Sequence, residues 1–186
     1  IRDSNTVIVS GCDAHIEKEA YMKMPEVDVV IGNNAKLDES IWGEIKKSGR
    51  SGFLGESVRK LKKEKTNILP NFTKRSRAYL EIQNGCNHSC TFCIIPQGRG
   101  LSKSVPMDTI LKKIRNLVNK GFKEIVLTGV DITCWGSDIA GNDKLGDLVN
   151  NILNETPNLP RLRLSSLDVS EMDDNLLHVF KTNKRM

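Results

Sequence analysis

Short apolar runs alternate with amphipathic stretches in the first part of the chain. Apolar runs over 7–9 and 27–31 are each closed by turn residues, a pattern typical of buried strands. Amphipathic helices are predicted over 14–23 and 37–47. This alternation predicts a parallel sheet of the doubly wound α/β kind. Because two strands are too few for a stable sheet, we expect the first part of this domain to lie upstream of residue 1.

A second α/β pattern with more regular spacing begins near residue 77. It predicts strands over 78–83, 124–130 and 161–166, and helices over 145–153, 173–181 and from Pro106 to a stop at Gly121. Repeated strand-helix units of this length predict part of a parallel (β/α) barrel. Three units cannot close a barrel, so we expect the domain to continue beyond the last residue of this chain.

The segment between these two patterns has no sustained apolar period and is rich in Gly, Ser, Lys and Arg. From Glu44 to Arg77 there are eleven Lys or Arg and three acidic residues, a balance of +8 in a chain whose net charge is +5. We interpret residues 1–47 as part of one domain, 48–76 as a basic linker, and 77–186 as the first half of a barrel domain.

Composition narrows the compartment and the cysteine chemistry. No apolar run approaches the roughly 18 residues of a membrane span, and no basic-then-apolar stretch resembles a signal peptide, so we expect a cytoplasmic protein without membrane contact. Five cysteines, an odd number, are present, and three of them fall within eight residues. A disulfide framework is therefore disfavoured, and metal or redox chemistry is the better interpretation.

The clustered cysteines are Cys86, Cys90 and Cys93, in a loop that follows the predicted strand over 78–83. A loop with this spacing can wrap three thiolates around an iron-sulfur cubane and leave one iron without a protein ligand. The alternatives are a zinc site, with His88 or Cys134 as the fourth ligand, and incidental thiols. Paired C-x-x-C units, which zinc knuckles usually show, are absent from the sequence.

The spacing Cys-x-x-x-Cys-x-x-Cys, with an aromatic residue just before the last cysteine, resembles the signature of the radical S-adenosylmethionine (SAM) superfamily. The resemblance implies that Cys86, Cys90 and Cys93 hold a 4Fe-4S cluster whose open iron binds SAM. It also implies that Phe92 packs near the adenine of SAM, largely through its backbone. The loop position agrees, because active sites of such barrels are built from the loops that follow the strands.

Further stretches resemble the methylthiotransferase family within that superfamily, namely Ile94-Ile95-Pro96, Arg99-Gly100, Glu124 to Asp131, and Arg161 to Leu167. The Thr-Gly-Val-Asp and Leu-Ser-Ser-Leu stretches are most similar to the branch that acts on N6-threonylcarbamoyladenosine, next to the anticodon of tRNA. This implies methylthiolation of C2 of N6-threonylcarbamoyladenosine at position 37. The alternatives are methylthiolation of isopentenyladenosine in tRNA or of a ribosomal protein aspartate, and a non-catalytic zinc or RNA-binding fragment.

The same resemblance implies the remaining site residues. Residues that would line the SAM pocket after the second and third barrel strands are Gly129, Asp131, Ser165, Ser166 and Asp168. Tight turns and local hydrogen bonds are the competing interpretation of the Gly and Ser positions.

A second 4Fe-4S cluster is also implied, because the stretch from Val7 to Cys12 is similar to that around the third of three cluster cysteines in the N-terminal domain of the family. Cys12 would be one ligand of this cluster, which is incomplete in this chain because the partner cysteines are absent from the sequence. A lone cysteine after a strand is otherwise usually structural.

The implied partners are the tRNA anticodon stem-loop, SAM, and an electron donor such as flavodoxin or ferredoxin. The basic linker could contact the tRNA backbone, because phosphate neutralisation dominates affinity for nucleic acids. The alternative is a solvated linker whose charge keeps the protein in solution.

Overall fold

The computed structural model describes residues 5–33, 35–48, 52–55 and 76–186, which form two compact units. The first unit joins 86–101 to the described residues up to 55, and the second contains 76–85 and 102–186. Most of the predicted linker, including its Lys-rich part, lies outside the described residues. The predicted domain boundaries therefore stay a prediction.

The first unit contains a parallel three-stranded sheet with the order β1 (Ile8–Ser10), β2 (Val29–Ile31) and β3 (Gly52–Leu54). All three residues of β2 are fully buried, as expected for a central strand of consecutive β-branched residues. The strands predicted over 7–9 and 27–31 are confirmed as β1 and β2. β3 lies in the range predicted as linker, because two apolar residues after Gly52 are too few to show a strand period.

The helices of the first unit are α1 (Cys12–Ile16), α2 (Lys18–Met22), α3 (Glu39–Ser48) and, after the cysteine loop, α4 (Ile95–Arg99). The prediction of a single helix over 14–23 is wrong, because two short helices, α1 and α2, occupy this range. The backbone of Glu17, at φ −93° and ψ 35°, leaves the helical region and divides the segment into α1 and α2. Ile45 of α3 packs against the buried side chains of β2.

The second unit contains the parallel sheet β4 (Arg77–Glu81), β7 (Glu124–Thr128) and β8 (Arg161–Leu164), with β7 in the centre. β4 ends earlier than predicted. Residues Gln83–Asn84 form a separate strand, β5, that pairs antiparallel with β6 (Lys103–Ser104). The mixed α/β architecture with parallel sheets, consistent with part of a (β/α) barrel, is confirmed.

Three amphipathic helices cover this sheet: α5 (Met107–Asn119), α6 (Leu145–Glu155) and α7 (Asp174–Thr182). Their apolar faces form one core with the strands, which includes Ile114, Leu148 and Leu176. Pro106 is extended, at φ −57° and ψ 141°, so α5 begins one residue later than predicted. Within the described residues, each helix is too short or too polar to cross a lipid bilayer.

Candidate functional site

The cysteine loop, residues 86–93, connects β5 to α4 without regular secondary structure. The N–H of Cys86 donates to the carbonyl of Gly100 at 3.1 Å, which closes the loop at its base, and the N–H of Cys93 donates to the carbonyl of Cys90 at 3.1 Å. The backbone N–H of His88 donates to the Sγ atom of Cys86 at 3.4 Å. Backbone hydrogen bonds therefore hold the loop at its base and near its last cysteine.

The thiols of this loop are accessible to a ligand. Cys90 is exposed, and Cys86 and Cys93 are half-buried. All five cysteines belong to the described residues, and no disulfide joins any of them. Phe92 is 92% exposed, so its ring is not part of the core.

In β5, the short strand that leads into the cysteine loop, the buried side chain of Gln83 organises two loops. Its Oε1 atom accepts hydrogen bonds from the N–H groups of Val130 at 3.0 Å and Asp131 at 2.9 Å. Its Nε2 atom donates to the carbonyl of Gly85 at 2.7 Å and to Oγ of Ser102 at 3.0 Å. One amide therefore holds the loop after β7 against the strand that leads into the cysteine loop.

Gly129 lies at the C-terminal end of β7, where close packing excludes a side chain. A Cβ atom there would lie 2.6 Å from the carbonyl oxygen of Gln83 and 2.7 Å from Cγ2 of Ile132. The close approach of two backbone segments thus requires glycine at this position. Gly129 and Asp131 both lie just after the C-terminal end of β7, and their role in a SAM pocket stays a prediction.

The residues after β8 have mixed surroundings. The N–H of Ser165 donates to the carbonyl of Leu127 at 3.0 Å, whereas its Oγ atom is buried and has no hydrogen-bond partner among the described residues. Ser166 is exposed. Asp168 accepts hydrogen bonds from the N–H of Ser170 at 2.9 Å and its hydroxyl at 2.7 Å, so its carboxylate caps a short 3₁₀ helix.

Cys134 is the last residue of a short 3₁₀ helix, Ile132–Cys134, that follows β7. The thiol is half-buried and lies 3.3 Å from Oε2 of Glu171, to which it donates. Burial raises the pKa of the Cys134 thiol above its usual range, and the carboxylates of Asp131 and Glu171 raise it further. The group borders an open cavity of about 490 Å³ that Lys144 and Asp173 also line.

Cys12 is the first residue of α1, two residues after β1 ends, at the C-terminal edge of the sheet as predicted. It packs directly against α4, the helix that follows the cysteine loop, since a Cβ atom on Gly98 would lie 2.8 Å from Cβ of Cys12. The side chain of Asn33 donates to Sγ of Cys12 at 3.5 Å and to the carbonyl of Gly98 at 2.7 Å.

Residues 80–173 match the family described as the Radical SAM superfamily, and the matched region includes the cysteine loop and the ends of β4, β7 and β8. The chain belongs to the radical SAM superfamily. The prediction of this superfamily is thereby confirmed. Membership implies an iron-sulfur cluster and SAM as cofactors.

Among curated proteins, the radical SAM chain is similar to threonylcarbamoyladenosine tRNA methylthiotransferase of Rickettsia prowazekii, with 41% identity over 97% of this chain and 42% of the relative. It is 32% identical to tRNA-2-methylthio-N(6)-dimethylallyladenosine synthase of Pelagibacter ubique, over 97% of this chain and 41% of the relative. It is 34% identical to ribosomal protein uS12 methylthiotransferase of Clostridium botulinum, over 97% of this chain and 40% of the relative. The chain thus spans about two-fifths of the length of these relatives, and its predicted likeness to methylthiotransferases is confirmed.

The residues present fit the cofactors of a radical SAM protein. Three thiols without disulfides in one backbone-held loop are a suitable donor set for three irons, and a backbone N–H directed at the sulfur of Cys86 is the kind of contact that stabilises cluster thiolates. The buried Oγ of Ser165 is a polar group that a bound ligand could satisfy.

Sequence reasoning missed two residues that organise this radical SAM chain, Gln83 and Asn33. Both are buried polar side chains whose partners are distant in sequence. For Gln83 there was a signal, because a long polar residue ends the predicted strand over 78–83, directly before the cysteine loop. Asn33 follows Gly32 and is indistinguishable in sequence from an ordinary turn asparagine.

Proposed function

We propose that this chain is part of a methylthiotransferase that modifies C2 of N6-threonylcarbamoyladenosine at position 37 of tRNA. The observation that carries the proposal is the 41% identity, over nearly the whole chain, to a relative whose name states a threonylcarbamoyladenosine tRNA substrate. Relatives named for dimethylallyladenosine and for ribosomal protein uS12 are 32% and 34% identical.

In this proposal Cys86, Cys90 and Cys93 hold the 4Fe-4S cluster. The cluster, when bound, supplies the electron that breaks a carbon-sulfur bond of SAM. A donor such as flavodoxin or ferredoxin would provide that electron. Phe92, exposed beside the last cysteine, would contact the adenine of SAM through its backbone.

The loops after β7 and β8 would form the walls of the SAM site. Gly129 allows the backbone after β7 to approach closely, and Gln83 fixes the N–H groups of residues 130 and 131. Ser165 offers a buried hydroxyl, while Ser166 and Asp168 are exposed. Because Asp168 already caps a turn, we expect it to contribute less to SAM affinity than Ser165.

Cys12 would be one ligand of a second 4Fe-4S cluster, which in this proposal supplies the sulfur. Its position supports this role, because it lies at the C-terminal edge of a parallel sheet, where ligands of open α/β sheets gather. It also packs against the helix that follows the cysteine loop.

The test of the first cluster is anaerobic reconstitution with iron and sulfide, followed by iron and sulfide analysis. Cys90→Ala should lose about four irons and cleave no SAM when reduced with dithionite. Cys134→Ala is the matched control and should keep both, because the Cys134 thiol is protonated and bound to Glu171. Zinc without sulfide in the unmodified protein would instead favour the non-catalytic zinc or RNA-binding fragment.

The substrate is tested separately, in cells that lack the gene. Mass spectrometry of tRNA nucleosides should show N6-threonylcarbamoyladenosine without its methylthio group, and the intact gene should restore the group whereas a Cys90→Ala gene should not. Loss of the methylthio group from dimethylallyladenosine, or from a ribosomal protein aspartate, would identify one of the alternative substrates.

A further inference from the structure

The cavity beside Cys134 lies at the C-terminal ends of β7 and β8, between the loops that follow these strands. Active sites of (β/α) barrels are built at this end of the strands. Its volume of about 490 Å³ is within the roughly 300–1,000 Å³ of sites that bind small ligands. Asp131, predicted to line the SAM pocket, contacts the Cys134 thiol, so the cavity adjoins that predicted pocket.

The lining of this cavity is polar. Among the described residues that line it, Trp135 is the one large apolar side chain, and its indole N–H donates to the carbonyl of Val105 at 2.9 Å. The polar side chains are those of Thr133, Ser137, Asn142, Lys144, Glu171 and Asp173. A hydrocarbon group would take these polar atoms out of water without replacing their hydrogen bonds, so the cavity suits a polar ligand.

Both carboxylates of the lining have partners within the protein. Asp173 accepts hydrogen bonds from the N–H of Gly146 at 3.0 Å and the N–H of Leu176 at 2.9 Å. These N–H groups belong to the first turns of α6 and α7, whose partial positive charges offset the charge of Asp173. Glu171 accepts from the thiol of Cys134 at 3.3 Å.

Lys144 is the cation of the cavity. Its side chain is exposed and forms no ion pair with a carboxylate among the described residues. The nearby carboxylate of Asp147 is occupied, because it accepts from the backbone N–H of Lys144 at 2.9 Å and from Nδ2 of Asn175 at 2.7 Å. Lys144 is also the N-cap residue of α6, a position at which the helix dipole favours an anion.

We propose that this cavity receives the threonylcarbamoyl group of the tRNA substrate and that the ammonium group of Lys144 binds its carboxylate. The inference rests on the proposed function. The N6 and C2 positions of adenine flank the same ring nitrogen, so the group on N6 must lie close to the carbon that reacts. A cavity that adjoins the predicted SAM pocket meets this requirement.

The same contact gives a physical basis for choosing between nucleosides. The threonylcarbamoyl group carries a carboxylate, a hydroxyl and N–H groups, whereas the dimethylallyl group is a hydrocarbon. In this cavity a dimethylallyl group would leave Lys144 and the other polar side chains without partners, and unpaired polar groups are an effective means of rejecting a substrate.

The experiment uses the full-length reconstituted enzyme and tRNA that bears N6-threonylcarbamoyladenosine, with methylthiolation measured by nucleoside mass spectrometry. Lys144→Ala should raise KM for this tRNA about tenfold, the effect of losing one charge-assisted hydrogen bond, and change kcat less than about twofold. Lys144→Arg keeps the positive charge and should stay within about threefold of the unmodified enzyme. Lys112→Ala, at an exposed lysine of α5, is the matched control and should leave KM unchanged.

Two further measurements identify the group that Lys144 binds. The first is the affinity of each variant for the same tRNA with unmodified adenosine at position 37, which Lys144→Ala should leave unchanged. Equal weakening for both tRNAs would mean that Lys144 contacts a phosphate and would overturn the inference. The second is KM for SAM, and a rise in this value in place of KM for tRNA would assign the bound carboxylate to SAM and also overturn it.

Failure of this inference can be told from failure of the proposed function. If the unmodified enzyme methylthiolates N6-threonylcarbamoyladenosine and Lys144→Ala does so with the same KM, the inference alone is wrong. If the unmodified enzyme acts on dimethylallyladenosine and leaves N6-threonylcarbamoyladenosine unchanged, the proposed function is wrong and the inference is wrong with it.

Discussion

Cys134 illustrates how burial and two neighbouring carboxylates change the pKa of a thiol. Burial raises the pKa of the Cys134 thiol first, and the negative charges of Asp131 and Glu171 raise it further. We predict that iodoacetamide modifies Cys134 slowly at pH 9, where an ordinary thiol, with a pKa of about 8.5, is largely ionised. Peptide mass spectrometry of the metal-free protein measures this, with exposed Cys90 as the internal reference.

The raised pKa of the Cys134 thiol also determines how the stability of the protein changes with pH. Because the folded thiol keeps its proton at a pH where the unfolded thiol has lost it, the stabilisation linked to Cys134 is intact below the unfolded pKa and is lost as pH rises above it. Glu171→Gln removes one of the charges and should make Cys134 more reactive at pH 9. Equal modification rates of Cys134 and Cys90 in the unmodified protein would contradict this account.

Gly129 provides a steric prediction at the residue scale. In Gly129→Ala the new Cβ atom would collide with backbone and side-chain atoms at 2.6 and 2.7 Å, so we expect a destabilisation of about 1–3 kcal/mol, as in overpacked cores. Gly43→Ala is the control, because no atom lies within 4 Å of its Cβ position in α3, and it should stabilise the protein by up to about 1 kcal/mol. Thermal unfolding of both variants would test the contrast, and similar melting temperatures would contradict it.

At the scale of elements, Gln83 joins β5 to the loop after β7. Gln83→Leu removes the acceptor of two N–H groups and the donor to Gly85, and each buried group left without a partner costs about 1–3 kcal/mol. We predict a loss of several degrees in melting temperature together with weaker SAM binding. Calorimetry of SAM binding and urea unfolding measure the two effects.

The control for Gln83 is Gln97→Leu, the same substitution at an exposed residue of α4. It should change stability by less than about 0.5 kcal/mol. If Gln83→Leu were equally mild, the amide would not be what holds the two loops together.

The hydrophobic pattern predicted most elements because strands and helices are selected by local periodicity. The pattern failed where a single backbone conformation, or a partner distant in sequence, determines the secondary structure. The helix over 14–23 breaks at Glu17 through one backbone conformation, and β3 is too short to have a period. The strand near residue 80 divides before Gln83 because β5 and β4 pair with different partners.

The candidate site shows the same division between local and distant information. Three cysteines within eight residues are a local signal, so the loop could be predicted from spacing alone. The contacts of Asn33 with Cys12 and Gly98 span 21 and 65 residues of chain, and no local pattern encodes them. Predicting them would require knowing that α4 packs on α1.

At the scale of the whole molecule, the cysteine loop belongs to a different compact unit from the strands that flank it in the sequence. Residues 86–101 lie within the sequence range predicted as the barrel, yet they form one compact unit with the described residues up to 55. Cys12 and the helix after the cysteine loop consequently share a unit and a contact.

The proposed tRNA substrate leads to a prediction for the basic segment from Glu44 to Arg77, whose balance is +8. If its lysines neutralise phosphates, replacing Lys60, Lys62, Lys63 and Lys65 by glutamine should weaken tRNA binding at 50 mM salt and reduce the slope of log affinity against log salt by about 3. The control replaces four exposed lysines, Lys112, Lys120, Lys123 and Lys181, and removes the same charge. Because counterion release depends on contacts and not on net charge, only the first set should change the slope; equal effects of both sets would favour a solvated linker.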